Sequence, residues 1–231
     1  MKNVLIIIPA YNEAENIERV VNNLIENYSQ YDYVVVNDGS KDDTAKICRD
    51  NGFELLDLSN NLGLTGAVQA GMRYAYQNGY DAALQFDGDG QHRPEFIKDM
   101  VDVMEHEGVN VVIGSRFVTE KKPHTLRMVG NNLISLLIKL STGQKINDTT
   151  SGMRLYSKEV IEEFSRNINY APEPDTISYL IKSGMKVKEI QVVMDERVAG
   201  ESYLTLARSM KYMLLQCFSI IFIQAFRRRI K

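Results

Sequence analysis

The chain has 231 residues, 44% of them hydrophobic, which suits one large α/β domain with a sizeable core. Its net charge is −3, yet residues 202–231 hold six basic side chains and no acid, so the remainder is acidic and offers no basic groove for nucleic acid. Cys48 and Cys217 are the only cysteines, far apart and in no Cys-x-x-Cys pattern, which excludes a disulfide scaffold and a zinc cluster and fits a reducing compartment.

In chain order, the pattern alternates strand and helix. Val4–Ile8 reads as a strand stopped by Pro9, with no signal peptide before it, and a helix follows near 13–27. A second strand near 32–37 runs into Asn37-Asp38-Gly39-Ser40, and Asp42-Asp43-Thr44 open a helix near 42–51. A strand near 53–57 precedes a helix near 65–78, with Asn61 and Gly63 shaping the loop between them. The strand near 81–86 ends in Phe86-Asp87-Gly88-Asp89-Gly90-Gln91-His92. Helices near 94–106 and 125–141 flank a strand near 109–114. Beyond Asp148 the pieces shorten: strands near 152–156 and 187–193, helices near 158–165 and 175–183. This alternation predicts an α/β fold, a mostly parallel sheet with helices on both faces.

In an open parallel sheet the strand C-termini share one edge, where ligands bind. Glu13, Asp38, Asp87 and Asp89 would converge there. Two carboxylates one residue apart suit a hard divalent cation, because Mg²⁺ or Mn²⁺ takes one or two protein carboxylates plus substrate phosphates. The flanking glycines, Gly88 included, let backbone and phosphate approach closely. No Gly-x-x-x-x-Gly-Lys-Ser/Thr or Gly-x-Gly-x-x-Gly pattern is present, so P-loop and dinucleotide readings fail.

Residues 212–226 are fifteen uncharged, mostly apolar residues between Lys211 and Arg227, too few for a comfortable membrane span of about 20. A wide apolar face with basic ends is what an in-plane interfacial helix needs. The alternative is a helix packed on the protein core.

The segments I-P-A-Y-N-E (8–13), V-N-D-G-S-K-D-D-T (36–44), N-L-G-L-T-G-A (61–67), D-G-D-G-Q-H (87–92), G-S-R-F (114–117) and S-G-M-R (151–154) together resemble the family 2 glycosyltransferases of the GT-A (Rossmann-like) fold. More narrowly, the chain is similar to the polyprenyl-phosphate (dolichol- or undecaprenyl-phosphate) sugar transferases over roughly residues 1–205. The resemblance implies a GT-A catalytic domain at 1–205 and a basic, amphipathic membrane-interface helix at 206–231. It implies Asp87, Asp89 and Gln91 as the ligands of Mg²⁺ or Mn²⁺, and Asp38 on the nucleobase. Pro9, Tyr11 and Glu13 would line the nucleoside, and Gly63 and Gly88 would lie beside the diphosphate. Arg197 and Ser202 belong to a matching R-x-x-G-x-S loop near the phosphates. Arg116 and Arg127 match the arginines that hold the acceptor phosphate, with Asp87 and Asp89 completing the catalytic set. Asn131 and Tyr203 depart from the family's usual serine and lysine or arginine.

The implied function is inverting transfer of a sugar from a nucleotide-sugar donor, UDP-linked by preference, to a polyprenyl phosphate. The enzyme would be peripheral on the cytoplasmic face of the membrane, helped by a small integral membrane subunit, with no nucleic-acid partner. Two alternatives stay open. Relatives acting on a hydroxyl carry a Glu-Asp pair with Asp as base; here Glu173-Pro174-Asp175 keeps both carboxylates but interrupts them. The other is a non-catalytic subunit that binds sugar nucleotides.

Overall fold

The structure, a computed structural model, describes residues 3–166, 172–195 and 206–223. Arg197 and Ser202 lie outside the described residues, as does the side chain of Arg127. One seven-stranded sheet, ordered β3-β2-β1-β4-β6-β5-β7, runs through the middle. Its strands are β1 Val4–Ala10, β2 Asp32–Asp38, β3 Leu55–Leu58, β4 Ala82–Gln85, β5 Val111–Ser115, β6 Arg154–Ser157 and β7 Val187–Gln191. The described helices are α1 Ile17–Asn27, α2 Thr44–Asp50, α3 Gly63–Gln77, α4 Ile97–Glu107, α5 Leu126–Thr142, α6 Lys158–Arg166, α7 Pro174–Lys182 and α8 Leu206–Phe218, which continues as a π-helical turn Ser219–Ile223.

Alternation along the strands builds two cores. Ile6 and Ile8 of β1 pack with Ile17, Val20, Val21 and Leu24, the apolar stripe of α1, and with α2 and α4. Leu5 and Ile7 point to the other face, against Val68 and Met72 of α3, Ile134 and Ile138 of α5, α6 and α7. Burial on both faces explains why β1 reads as an unbroken apolar run.

One feature differs from the sequence reading and one refines its mostly parallel sheet. α1 starts at Ile17, not near 13, because Asn12 takes a left-handed φ of 56° and residues up to Asn16 form a turn. All neighbours are parallel except around β6, which lies antiparallel between β4 and β5. That reversal sets Arg154, the first residue of β6, opposite Gln85, the last of β4.

The C-terminal helix packs with its polar side inward. Tyr212 donates to Glu173 Oε2, Gln216 Oε1 accepts from Asp175 N at 3.2 Å, and Ser219 Oγ donates to Asp175 Oδ2 at 2.6 Å. Ile220 enters the core shared with α5 and α7. Leu214, Leu215, Phe218, Ile221, Phe222 and Ile223 are left exposed.

Candidate functional site

The C-terminal ends of β1, β2 and β4 open on a cavity of about 510 Å³. Pro9, Tyr11, Glu13, Asp38, Gly63, Asp87, Gly88 and Asp89 line it, so eight of the predicted residues meet in one crevice. Leu64 and Ala67 of the first turns of α3 line it too. The positive end of that helix therefore faces the cavity, a ready place for a diphosphate. Asp38 is buried and its Oδ1 accepts from Leu62 N at 2.7 Å, which fixes the entry to α3. Burial pushes its carboxyl above the usual range, against the pull of the Leu62 and Gly63 N–H groups. Glu13 Oε2 accepts from Asn16 Nδ2 at 2.8 Å, and its own N–H donates to Thr44 Oγ1 at 2.9 Å.

Asp87 is held from three sides. Gln85 Nε2 donates to its Oδ1 at 3.2 Å. Its backbone N–H donates to His92 Nδ1 at 2.9 Å, which puts the ring's proton on Nε2, 3.6 Å from Asp87 Oδ2. On the third side runs Gly152, where a Cβ would stand 2.6 Å from Asp87 Oδ2 and 3.3 Å from His92 Cε1. Gly152→Ala should therefore displace the carboxylate and cut kcat by about 10²-fold, since a misplacement near 1 Å costs that much. Steady-state kinetics on a variant checked by melting would measure it, and near-normal kcat would show that Asp87 has slack.

Asp89 is buried, and its Oδ1 accepts from Gln91 N at 3.0 Å. Gln91 Nε2 donates to the Asp195 carbonyl at 3.3 Å. Among the described residues no cluster of three or more His, Cys, Asp or Glu could hold a metal. Two carboxylates at the cavity wall do not close the shell of a divalent cation. They fit a cation shared with a substrate diphosphate.

Arg116 stands elsewhere. Its guanidinium forks onto the buried Asp148, Nε to Oδ2 at 2.7 Å and Nη2 to Oδ1 at 2.9 Å, and its N–H donates to the same carboxylate at 3.1 Å. It does not line the cavity. Asn131 is also buried in structure: Nδ2 donates to Asn147 O, and Oδ1 accepts from Thr149 N and Oγ1. Of the acidic pair, Glu173 lines the cavity and Asp175 does not. Burial raises the Glu173 carboxyl, while Tyr212 and the Arg154 charge pull it down.

The sequence reading missed Gln85, Thr150, Gly152 and Tyr212 as walls of this cavity, and carried Glu173 only within the acidic segment of the hydroxyl-acceptor alternative. Gln85 carried a signal, a polar residue inside an otherwise apolar strand. Tyr212 carried none, because nothing local says that α8 returns to α7.

The family model described as Glycosyl transferase family 2 matches residues 5–165. The chain is 33% identical over 187 residues to the UDP-N-acetylglucosamine–dolichyl-phosphate N-acetylglucosaminyltransferase of Methanococcus voltae, covering 72% of this chain and 74% of that one. It is 28% identical over 214 residues to the polyprenol monophosphomannose synthase of Mycolicibacterium smegmatis, covering 87% and 80%. In fold it is similar to glucosyl-3-phosphoglycerate synthase from Mycobacterium tuberculosis, solved with Mn²⁺, uridine diphosphate and phosphoglyceric acid, at a TM-score of 0.67 and 16% identity over 98% of this chain and 80% of that one.

Proposed function

The chain belongs to glycosyl transferase family 2 and is a glycosyltransferase, and we propose that it moves a sugar from a UDP-sugar to a polyprenyl phosphate at the cytoplasmic face of a membrane. The carrying observation is one crevice that joins paired carboxylates, the open N-terminus of α3 and an apolar surface beside it.

Asp87 and Asp89 are the residues that would hold Mg²⁺ or Mn²⁺. When bound, the cation neutralises the charge that develops on the departing diphosphate. Gln85, His92 and Gly152 fix where Asp87 points. Pro9, Tyr11, Glu13 and Asp38 form the nucleoside side, and the first turn of α3 offers N–H groups to the diphosphate. A polyprenyl phosphate is already largely anionic near neutral pH, with a second pKa of about 6, so attack through its oxygen needs no general base. Residues 1–205 serve as the catalytic unit in this reading, with Arg127, Arg197 and Ser202 on the phosphates.

No helix among the described residues is long and apolar enough to cross a membrane. The reading of peripheral association rests on surface instead. On α5, Leu126, Val129, Leu133, Leu136 and Leu140 form an exposed stripe at alternating three- and four-residue steps. α8 packs against α5 and leaves its own apolar side outward. Residues 121–147 carry Lys121, Lys122, Arg127, Lys139 and Lys145 and no acid, and 206–231 are likewise acid-free, as anionic lipid requires. A small integral membrane subunit could share this face. Leu136→Glu combined with Leu140→Glu should lower co-sedimentation with phosphatidylglycerol vesicles by about tenfold or more without changing the melting temperature. Undiminished binding would remove α5 from the interface.

The function is tested by incubating purified protein with Mn²⁺, undecaprenyl phosphate and labelled nucleotide sugars, then partitioning into organic solvent. Label in the organic phase is the expected result; label only in water-soluble glycan would refute the lipid-phosphate acceptor. A hydroxyl acceptor is favoured by one observation, the Glu173 carboxyl at the cavity wall. Glu173→Gln would then abolish turnover.

A further inference from the structure

The cavity floor under Asp87 holds a polar pair whose hydrogen-bonding capacity is unspent. Arg154 is 1% exposed and Gln85 1% exposed, and both line the cavity. They are opposite each other across the antiparallel β4–β6 pair, at the same sheet edge as Asp87. Arg154 Nη2 donates to Thr149 O at 2.9 Å. Among the described residues, Arg154 Nε, Arg154 Nη1 and Gln85 Oε1 make no well-formed hydrogen bond; the buried Tyr156 hydroxyl, two residues along β6, lies near enough to Arg154 to feel it but is likewise unpaired by geometry. Gln85 gives Nε2 to the Asp87 carboxylate, which leaves Oε1 buried without a partner. Buried donors and an acceptor left unmade are costly, and a cationic donor more so. The site is built for a ligand that supplies both acceptors and a donor.

We propose that Gln85 and Arg154 form the donor-sugar subsite and select a neutral hexosyl group by its hydroxyls. This rests on the nucleotide-sugar reading above. A hydroxyl both accepts and donates, so one can take an Arg154 N–H while giving its proton to Gln85 Oε1. The substituted diphosphate of a nucleotide sugar, or a carboxylate, has no proton to give at neutral pH and would set its oxygen against that carbonyl. Geometry adds a second argument. Nε–H and the Nη1 hydrogens do not share an edge of the guanidinium, so the two free donors do not form one fork for a single oxyanion. They call for acceptors in two directions, which a polyhydroxylated ring supplies. Glu173 stands close enough for the Arg154 charge to act on it, so the arginine does not need a second anion for balance.

The test is equilibrium binding of the full chain with Mn²⁺ to UDP, GDP, UDP-glucose, UDP-N-acetylglucosamine, UDP-galactose, UDP-glucuronate and GDP-mannose. Wild type, Gln85→Leu and Arg154→Lys are compared, with melting as the check of fold. At least one neutral nucleotide sugar should bind wild type more tightly than its bare nucleotide and than UDP-glucuronate. Each variant should weaken that ligand by about tenfold or more, because a site built around hydroxyls leaves polar groups unpaired when altered. Gln85 also braces Asp87, so Gln85→Leu weakens bare nucleotide as well; the quantity read is therefore the ratio of the two losses, with nucleotide sugar losing about fivefold or more beyond bare nucleotide in each variant. Gln85→Leu, neutral and similar in size, carries the test where Arg154→Lys does not fold. Equal losses for bare nucleotide and nucleotide sugar would move the pair to the diphosphate and overturn the proposal. So would unchanged sugar binding, which would leave water as the partner. Wild type that binds no nucleotide at all would sink the donor reading itself, and this inference with it.

Discussion

Asp89→Asn lowers sugar transfer by about 10³-fold, near 4 kcal/mol of transition-state stabilisation, and leaves the fold intact. The substitution is nearly isosteric. Asn retains an Oδ1 that can accept from Gln91 N, as Asp89 does at 3.0 Å in the D-x-D turn. What it loses is one of two negative charges at the cavity wall. With no third carboxylate or imidazole among the described residues to compensate, a shared cation loses half of its protein charge. Chelation should silence wild type equally, and added Mn²⁺ should restore wild type but not the variant. The readout is initial rate against Mn²⁺ concentration, with UDP binding measured with and without metal. More than a tenth of wild-type activity in Asp89→Asn, or activity that survives chelation, would remove the carboxylate pair from the chemistry.

The crevice was legible because its residues sit where strand periodicity stops. β1 and β2 end at Ala10 and Asp38, and Asp87 follows the end of β4, so apolar runs that give way to carboxylates at Glu13, Asp38 and Asp87 marked the edge on their own. What was not legible depended on partners far along the chain. His92 followed the paired carboxylates, and only the turn geometry shows its ring bracing Asp87. Gln85 and Arg154 meet because β6 runs antiparallel, and no local pattern fixes strand direction. The helical periodicity of α8 gave a polar and an apolar side without saying which faced inward. Glu173 and Asp175, some forty residues earlier, decide that by drawing Tyr212, Gln216 and Ser219 toward α7. The outward apolar side is therefore a consequence of two carboxylates at the start of α7.

Arg116 is the residue whose sequence-based role and position diverge most, and its removal has the largest expected effect on stability. The resemblance assigns it to the acceptor phosphate, yet its fork is occupied by Asp148, whose side chain is fully buried while that of Arg116 is 27% exposed. Arg116→Ala leaves a buried carboxylate without its cation. The expected cost is about 3 kcal/mol, the low end for a broken buried pair because the arginine is partly solvated. In a chain of this size that lowers the melting temperature by about 10 °C. The pH dependence carries the sign. Burial tends to raise the Asp148 carboxyl, but the Arg116 side chain, its charge and its N–H, with Thr150, outweigh burial and hold it below the usual range. Its contribution in wild type is present above the unfolded pKa, about 3.9, and fades as pH falls through the lower folded value. In Arg116→Ala burial wins, the folded pKa rises above the unfolded one, and stability falls as pH rises. The gap between the two proteins should thus be widest near pH 7 and narrow toward pH 4. Arg116→Ala with Asp148→Asn removes the stranded charge and should regain most of the lost stability. That double variant separates the two roles. If stability returns and KM for undecaprenyl phosphate returns with it, Arg116 acts by holding the loop at Asp148–Arg154 in place. If stability returns while KM stays about tenfold or more above wild type, the guanidinium leaves Asp148 for the acceptor phosphate during turnover.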